Sequence, residues 1–258
     1  MKEIISGVLI GLANLIPGIS GGTIAVVLGI YEKLVRSIAD LAKLRPSREQ
    51  FKFIILIGIG IVGALLLGSK LMSIALKQAT GYTYAAFFGL VLGTLPFLFK
   101  KAVKLRLIYL FGGVVLLVVV ENLKLSFKLS GVFLPLTGFV AAFAMIMPGL
   151  SGSLIMLIFG AYENVINAVS TLNFSILVPF GIGVVFGILV CALFMKYLYE
   201  RFPDQTRSFV LGLVMASLIK IQPFNKQVFH WYGYVLLILV ILLSFFLSLW
   251  FTKYTRES

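Results

Sequence analysis

Two charge-free stretches of this 258-residue chain, Ile4 to Tyr31 and Leu129 to Tyr162, are each broken near the middle by the same short sequence. Pro17-Gly18-Ile19-Ser20-Gly21-Gly22-Thr23-Ile24 continues to Gly29-Ile30-Tyr31-Glu32. Displaced by 131 residues, Pro148-Gly149-Leu150-Ser151-Gly152-Ser153-Leu154-Ile155 continues to Gly160-Ala161-Tyr162-Glu163, and eight of the sixteen positions from Pro17 to Glu32 are identical. Proline has no N–H to donate and its ring clashes with the preceding turn, so a helix running into either stretch must stop there. At an offset of 123, Gly58 and Gly60 match Gly181 and Gly183, Gly89-Leu90-Val91 matches Gly212-Leu213-Val214, and Tyr109 matches Tyr232. The chain is a duplication with halves at about 1–125 and 130–258, and the change of offset fits the polar segment Arg45 to Gln50.

What such a duplication folds in is set by composition: 60% of the residues are hydrophobic and 12% charged, against a usual charged share of about 25%. Too little polar surface remains to cover a water-soluble globule, and a membrane protein is expected. The net charge of +13 reads as basic loops facing anionic lipid, so nucleic-acid binding is discarded. Lys2 and the apolar run to Ala13 imitate a signal peptide. No small-x-small cleavage site follows, and the expectation is a chain that starts near Met1. The single cysteine, Cys191, and single histidine, His230, are read as structural; no metal or cofactor is expected.

Each arm of a broken stretch is about 14 to 17 residues, or roughly 21 to 26 Å, which suits a re-entrant hairpin better than two full spans. Basic residues test that topology. With hairpins, 16 of the 22 Lys and Arg fall on one side and 6 on the other, whereas single kinked crossings divide them 12 against 10. The biased arrangement predicts an all-α polytopic membrane protein of two inverted repeats, both termini cytoplasmic. The first repeat is a hairpin at about 4–38 and transmembrane helices at about 51–70, 82–100 and 105–122. The second is a hairpin at about 131–169 and helices at about 175–197, 207–221 and 230–252.

A helix break inside a bilayer must be buried in protein or line a polar cavity, because lipid cannot satisfy the freed backbone groups. Pro17-Gly18 and Pro148-Gly149 are the expected breaks. Ser20, Gly21, Gly22 and Thr23 follow the first, and Ser151, Gly152 and Ser153 the second. A helix start offers free N–H donors, glycine lets an oxygen-rich group approach, and hydroxyls add donors. Two tips entering from opposite faces can meet near the midplane as an anion site for phosphate or carboxylate. Gly60 to Ala64 and Gly89 to Gly93 are assigned instead to helix packing. Glu32 and Glu163, expected at the outer ends of the returning arms, are candidates for coupling or gating, weighed equally against interfacial helix ends. Glu121 is read as a boundary charge, since its counterpart Ser244 is uncharged.

At these residues the chain resembles the polyprenyl-phosphate transporter family PopT, formerly domain of unknown function 368. The motif runs from Gly11-Leu12-Ala13-Asn14-Leu15-Ile16-Pro17-Gly18-Ile19-Ser20-Gly21-Gly22-Thr23-Ile24-Ala25 to Gly29-Ile30-Tyr31-Glu32, with the echo Met147-Pro148-Gly149-Leu150-Ser151-Gly152-Ser153. The resemblance implies a non-enzymatic flippase that returns undecaprenyl phosphate across the bacterial plasma membrane for cell-wall synthesis. Its partners are then the polyprenyl-phosphate lipid and the surrounding membrane lipids. It also implies importance for the Ser-Gly tips, Glu32 and Glu163. Composition and spacing alone reach only an anion site between inverted hairpins. Two alternatives stand: a membrane undecaprenyl-diphosphate phosphatase, whose motif carries an arginine where Gly21 and Gly152 stand here, and a small-anion carrier or channel. Oligomeric state is not legible.

Overall fold

In a computed structural model of the protein, the described residues are 1–16, 18–102, 104–122, 133–227 and 230–254. Pro17, Lys124, Lys128 and the junction between the halves lie outside them. Among the described residues every regular element is a helix. The first half holds α1 (Lys2–Asn14), α2 (Gly21–Val27), α3 (Tyr31–Ala42), α4 (Arg48–Gln78), α5 (Thr80–Lys101) and α6 (Leu107–Asn122). The second holds α7 (Leu134–Ile146), α8 (Gly152–Ile158), α9 (Tyr162–Thr171), α10 (Phe174–Arg201), α11 (Pro203–Ile221) and α12 (Trp231–Tyr254).

Local chemistry sets these bounds. Met147 precedes Pro148 and is extended at φ −69°, ψ 130°, which ends α7. The Leu150 N–H closes on the Met147 carbonyl at 3.4 Å across Pro148-Gly149. With Gly149 at φ +84° this is the pattern of a type II turn, and Gly18 has the same hand at φ +87°. The returning arms are shorter than the sequence suggested. Both α2 and α8 have seven residues, because Gly29 and Gly160 take positive φ. Ile30 N–H then bonds Ala25 O and Gly29 N–H bonds Val26 O, while Ala161 N–H bonds Met156 O and Gly160 N–H bonds Leu157 O. That double closure is the Schellman motif, which stops a helix by satisfying its last carbonyls. Tyr31 and Tyr162 therefore begin separate helices, and α9 departs from α8 at 117°. The polar segment before α4 is its cap: Ser47 Oγ accepts from Gln50 N–H, and Gln50 Oε1 accepts from Ser47 N–H at 2.8 Å.

Four helices, α4, α5, α10 and α12, are long and apolar enough to cross a membrane. With 16 residues, α6 spans about 24 Å. Although α11 is less apolar, it is largely buried, with Leu211, Leu213 and Val214 fully enclosed, and so has little lipid to face. At 13 residues each, α1 and α7 reach only about 20 Å, short of a bilayer core.

The helices pack in matched pairs: α1 on α4 and α7 on α10, then α5 on α12 and α6 on α11. Exchanging the halves maps each pair onto another. Glycines permit the close approach. A Cβ at Gly60 would collide with the Ile4 carbonyl and one at Gly183 with the Pro135 carbonyl, and Gly89 and Gly212 stand equally close to Ile241 and Leu110. The packing role expected of Gly60, Gly89 and Gly93 is observed. Apolar side chains such as Leu67 and Leu243 line the outer surface.

Charged residues gather at opposite ends of the bundle. At one end α3 lies on the C-terminal part of α10, with ion pairs Lys196–Asp40 and Arg36–Glu200, while Lys101 and Arg207 reach Glu32. At the other, Gly81 N–H bonds Gln227 Oε1 at 3.1 Å, Lys226 sits 4.7 Å from the Tyr84 ring, and Lys220 pairs with Glu121.

Candidate anion site at the paired helix breaks

The two breaks meet. Ser20 caps α2 in extended backbone, its Oγ accepting from Gly22 N–H at 3.2 Å. The same hydroxyl faces the carbonyl oxygens of Met145 and Met147 from the second half, 3.3 Å from each. Thr23 Oγ1 accepts from Gly149 N–H at 2.7 Å. Gly22 abuts the Ile146 carbonyl so closely that a Cβ would stand 2.5 Å from its oxygen.

Between the tips lies a cavity of about 320 Å³ whose polar lining is Asn14, Ser20, Ser151, Gly152 and Ser153, with Met145, Met156 and Phe180 among its apolar walls. The second tip is less committed than the first. Ser151 makes no cap bond; its hydroxyl pairs with that of Ser153 at 2.8 Å. No described hydrogen bond occupies the N–H groups of Gly152 and Ser153. In arms of seven residues these local donors, rather than a long helix dipole, are what the tips offer an anion. Among the described residues no Asp, Glu, Lys or Arg lines the cavity.

Four of the seven residues expected to bind, Ser20, Ser151, Gly152 and Ser153, are thus brought together. Gly21, Gly22 and Thr23 are buried behind them; Gly22 and Thr23 hold the first tip to the second half, and Gly21 holds it to Asn14 of α1. Gly18 and Gly149 form the turns. Asn14 was missed: its Oδ1 accepts from Gly21 N–H at 2.9 Å, and its Nδ2 is buried without a partner among the described residues. A lone amide at the end of an apolar arm is a visible signal, but its repeat counterpart is Met145, so a search for echoes passes over it.

Glu32 and Glu163 lie away from this cavity, in the first turns of α3 and α9. Glu32 takes Lys101 at 2.8 Å and Arg207 at 3.6 Å. Glu163 is exposed, and among the described residues no cation lies within ion-pair distance of it. Glu121 is more than a boundary charge: Lys220 pairs with it at 2.8 Å, and the Lys220 stem covers Gly18.

Fold and cavity define a polytopic helical membrane protein with an uncharged polar chamber where two broken helices meet. The chain belongs to the VCA0040-like family, described as undecaprenyl phosphate translocase-like, whose family model matches residues 10–233. It is 32% identical over 247 residues to the polyprenyl-phosphate transporter of Vibrio cholerae serotype O1 (strain ATCC 39315 / El Tor Inaba N16961), covering 90% of this chain and 80% of that one. It is 31% identical over 281 aligned residues to the polyprenyl-phosphate transporter of Staphylococcus aureus (strain NCTC 8325 / PS 47), covering 99% and 97%. No solved structure matches. The resemblance carried by the duplicated motif is borne out.

Proposed function

We propose that this protein carries undecaprenyl phosphate, or a related polyprenyl phosphate, between the leaflets of the bacterial plasma membrane, returning the carrier lipid for cell-wall synthesis. In this reading the halves are inverted repeats. The arms α1–α2 and α7–α8 are re-entrant and enter from opposite faces, while α4, α5, α6, α10, α11 and α12 cross. The basic end, which carries α3, is cytoplasmic with both termini.

The observation that carries the proposal is the chamber shared by the two breaks, where hydroxyls and an amide from both halves converge without a fixed charge. An isolated charge near the bilayer centre costs several kcal/mol at least. A phosphate therefore needs an enclosed polar path, while its apolar tail can stay in lipid. Ser20, Ser151, Ser153, Asn14 Nδ2 and the N–H groups of Gly152 and Ser153 supply that path with neutral donors. Neutral donors bind phosphate less tightly than Lys or Arg would, and a carrier must also release. Rocking one half against the other would expose the chamber to each side in turn. Hydrolysis has less support, since it wants a general acid, base or metal at the phosphorus, and the lining supplies hydroxyls, an amide and apolar groups.

The test is purified protein in liposomes loaded with undecaprenyl phosphate in one leaflet. Transfer to the other leaflet is expected, with no phosphate released from undecaprenyl diphosphate, and the Ser151→Ala, Ser153→Ala double variant should be slower. Phosphate release that depends on Ser20 or Ser151 would establish the enzyme reading instead.

A further inference from the structure

Seven residues beyond the first tip, at the far end of α2, a second, small pocket of about 30 Å³ lies between α2, α3, α5, α10 and α11. Its lining includes Tyr31, Glu32, Lys101, Tyr199 and Arg207. Two cations from different helices converge there on one carboxylate, Lys101 Nζ at 2.8 Å and Arg207 Nε at 3.6 Å from the same Glu32 oxygen. The cluster therefore carries one positive charge in excess. Its donors are also unspent. Among the described residues, Arg207 Nε is buried without a hydrogen-bond partner, as is the hydroxyl of Tyr31, a residue only 3% exposed. Burying a phenol and a guanidinium nitrogen without a hydrogen bond is costly, and such groups ordinarily find an acceptor.

The repeat does not reproduce this arrangement. At the offset of 123, Lys101 and Arg207 correspond to Phe224 and Tyr84, and Glu163, the counterpart of Glu32, is exposed. The surplus belongs to one end of the molecule, and helix packing alone does not require it.

We propose that Lys101, Arg207 and the Tyr31 hydroxyl form a second phosphate site, about 10 Å from the tip chamber along α2. The choice of phosphate rests on the transport reading above; the donors without a hydrogen bond and the excess charge do not. Glu32 keeps the two cations in place while the site is empty and competes with the ligand for them. A phosphate, with more charge and three terminal acceptor oxygens, can take the ammonium, the guanidinium fork and the phenol together. In a carrier, such a site holds the headgroup at the basic end before it enters the chamber or after it leaves.

The test is acetylation of lysines in the purified full-length protein, read by peptide mass spectrometry, with exposed Lys100 as internal reference. Inorganic phosphate and farnesyl phosphate are the two probes. At a probe concentration of about twice Kd, Lys101 modification should slow about threefold relative to Lys100. Protection by inorganic phosphate assigns a free-anion site, and protection by the ester alone assigns a lipid headgroup. Tyr31→Phe and Arg207→Gln should weaken protection, and Glu32→Gln should strengthen it, a direction that a purely structural ion pair would not give. No protection by either probe overturns the proposal, as does protection left unchanged by both Tyr31→Phe and Arg207→Gln. The Ser151→Ala, Ser153→Ala variant should retain protection; its loss there would assign the effect to the tips. Should liposome transport fail while inorganic phosphate still protects Lys101, the transport reading falls and this site stands.

Discussion

The Thr23 hydroxyl accepts the Gly149 N–H at 2.7 Å, so the turn at the second break is fastened by a side chain of the first half. Ser151 and Ser153, by contrast, bond each other. This separates hydroxyls that hold the tips together from hydroxyls free to meet a ligand. Thr23→Val keeps the shape and strands a buried N–H, which should lower stability by about 1–3 kcal/mol. Ser151→Ala should leave stability nearly unchanged. Thermal unfolding in detergent measures both, and equal losses would erase the distinction.

Asn14→Asp keeps the oxygen that Gly21 N–H needs and replaces the unpartnered buried donor with a second oxygen. A carboxylate facing the chamber would repel phosphate, and transport should fall about tenfold or more, the equivalent of about 1.4 kcal/mol. Unimpaired transport by this variant would remove Asn14 from the site.

Two glycines on α4 are expected to answer alanine in opposite ways. Among the described residues nothing lies within 4 Å of a Cβ at Gly58, whereas at Gly60 it would meet the backbone of α1. Gly58→Ala should be neutral or stabilising by up to about 1 kcal/mol. Gly60→Ala forces α1 away and should cost about 1–3 kcal/mol. Unfolding midpoints of the two variants give the comparison.

At the basic end, the hydrogen bond from Lys196 holds the Asp40 carboxyl below the ordinary carboxylate range, outweighing the opposite effect of burial. A carboxyl lowered on folding contributes stability that is complete above its unfolded value, about pH 4. That contribution is lost as pH falls through the folded value. The docking of α3 on α10 should therefore weaken in acid below about pH 4, and Asp40→Asn should remove this dependence at a cost of about 1 kcal/mol. Melting curves from pH 3 to pH 7 would show it. A wild-type profile parallel to that of Asp40→Asn would rule the pair out as its source.

Cysteines placed at Arg45 and Lys77 report the orientation, and Cys191 can remain because it is fully buried. In intact cells an impermeant maleimide should label position 77 and spare position 45. The reverse pattern would invert the proposed topology.

What the sequence made legible were features that repeat or that depend on near neighbours. The breaks at Gly18 and Gly149, the meeting of Ser20 with the second tip and the packing of Gly60 and Gly89 follow from motif spacing and residue size. The early stop of α2 and α8 is also written there, since Gly29 and Gly160 occupy the position that ends a helix in a Schellman motif; their recurrence alone marks only the duplication. The ion pairs were not legible. Glu121 meets Lys220, and Glu32 meets Lys101 and Arg207, across long separations in sequence. None of these pairings is echoed at the equivalent positions of the other half, so neither local propensity nor the repeat points to them. Asn14 escaped for the same reason.

Because α5 rests on α12 and α6 on α11, neither half alone covers these helices. A ribosome delivers the first half with the glycine face of α5 uncovered, and the surface that covers it is among the last to be made. Until then that face must be shielded by lipid or by the insertion machinery. Late truncation should accordingly leave α5, made long before, without its partner, in a protein that is inserted but not closed.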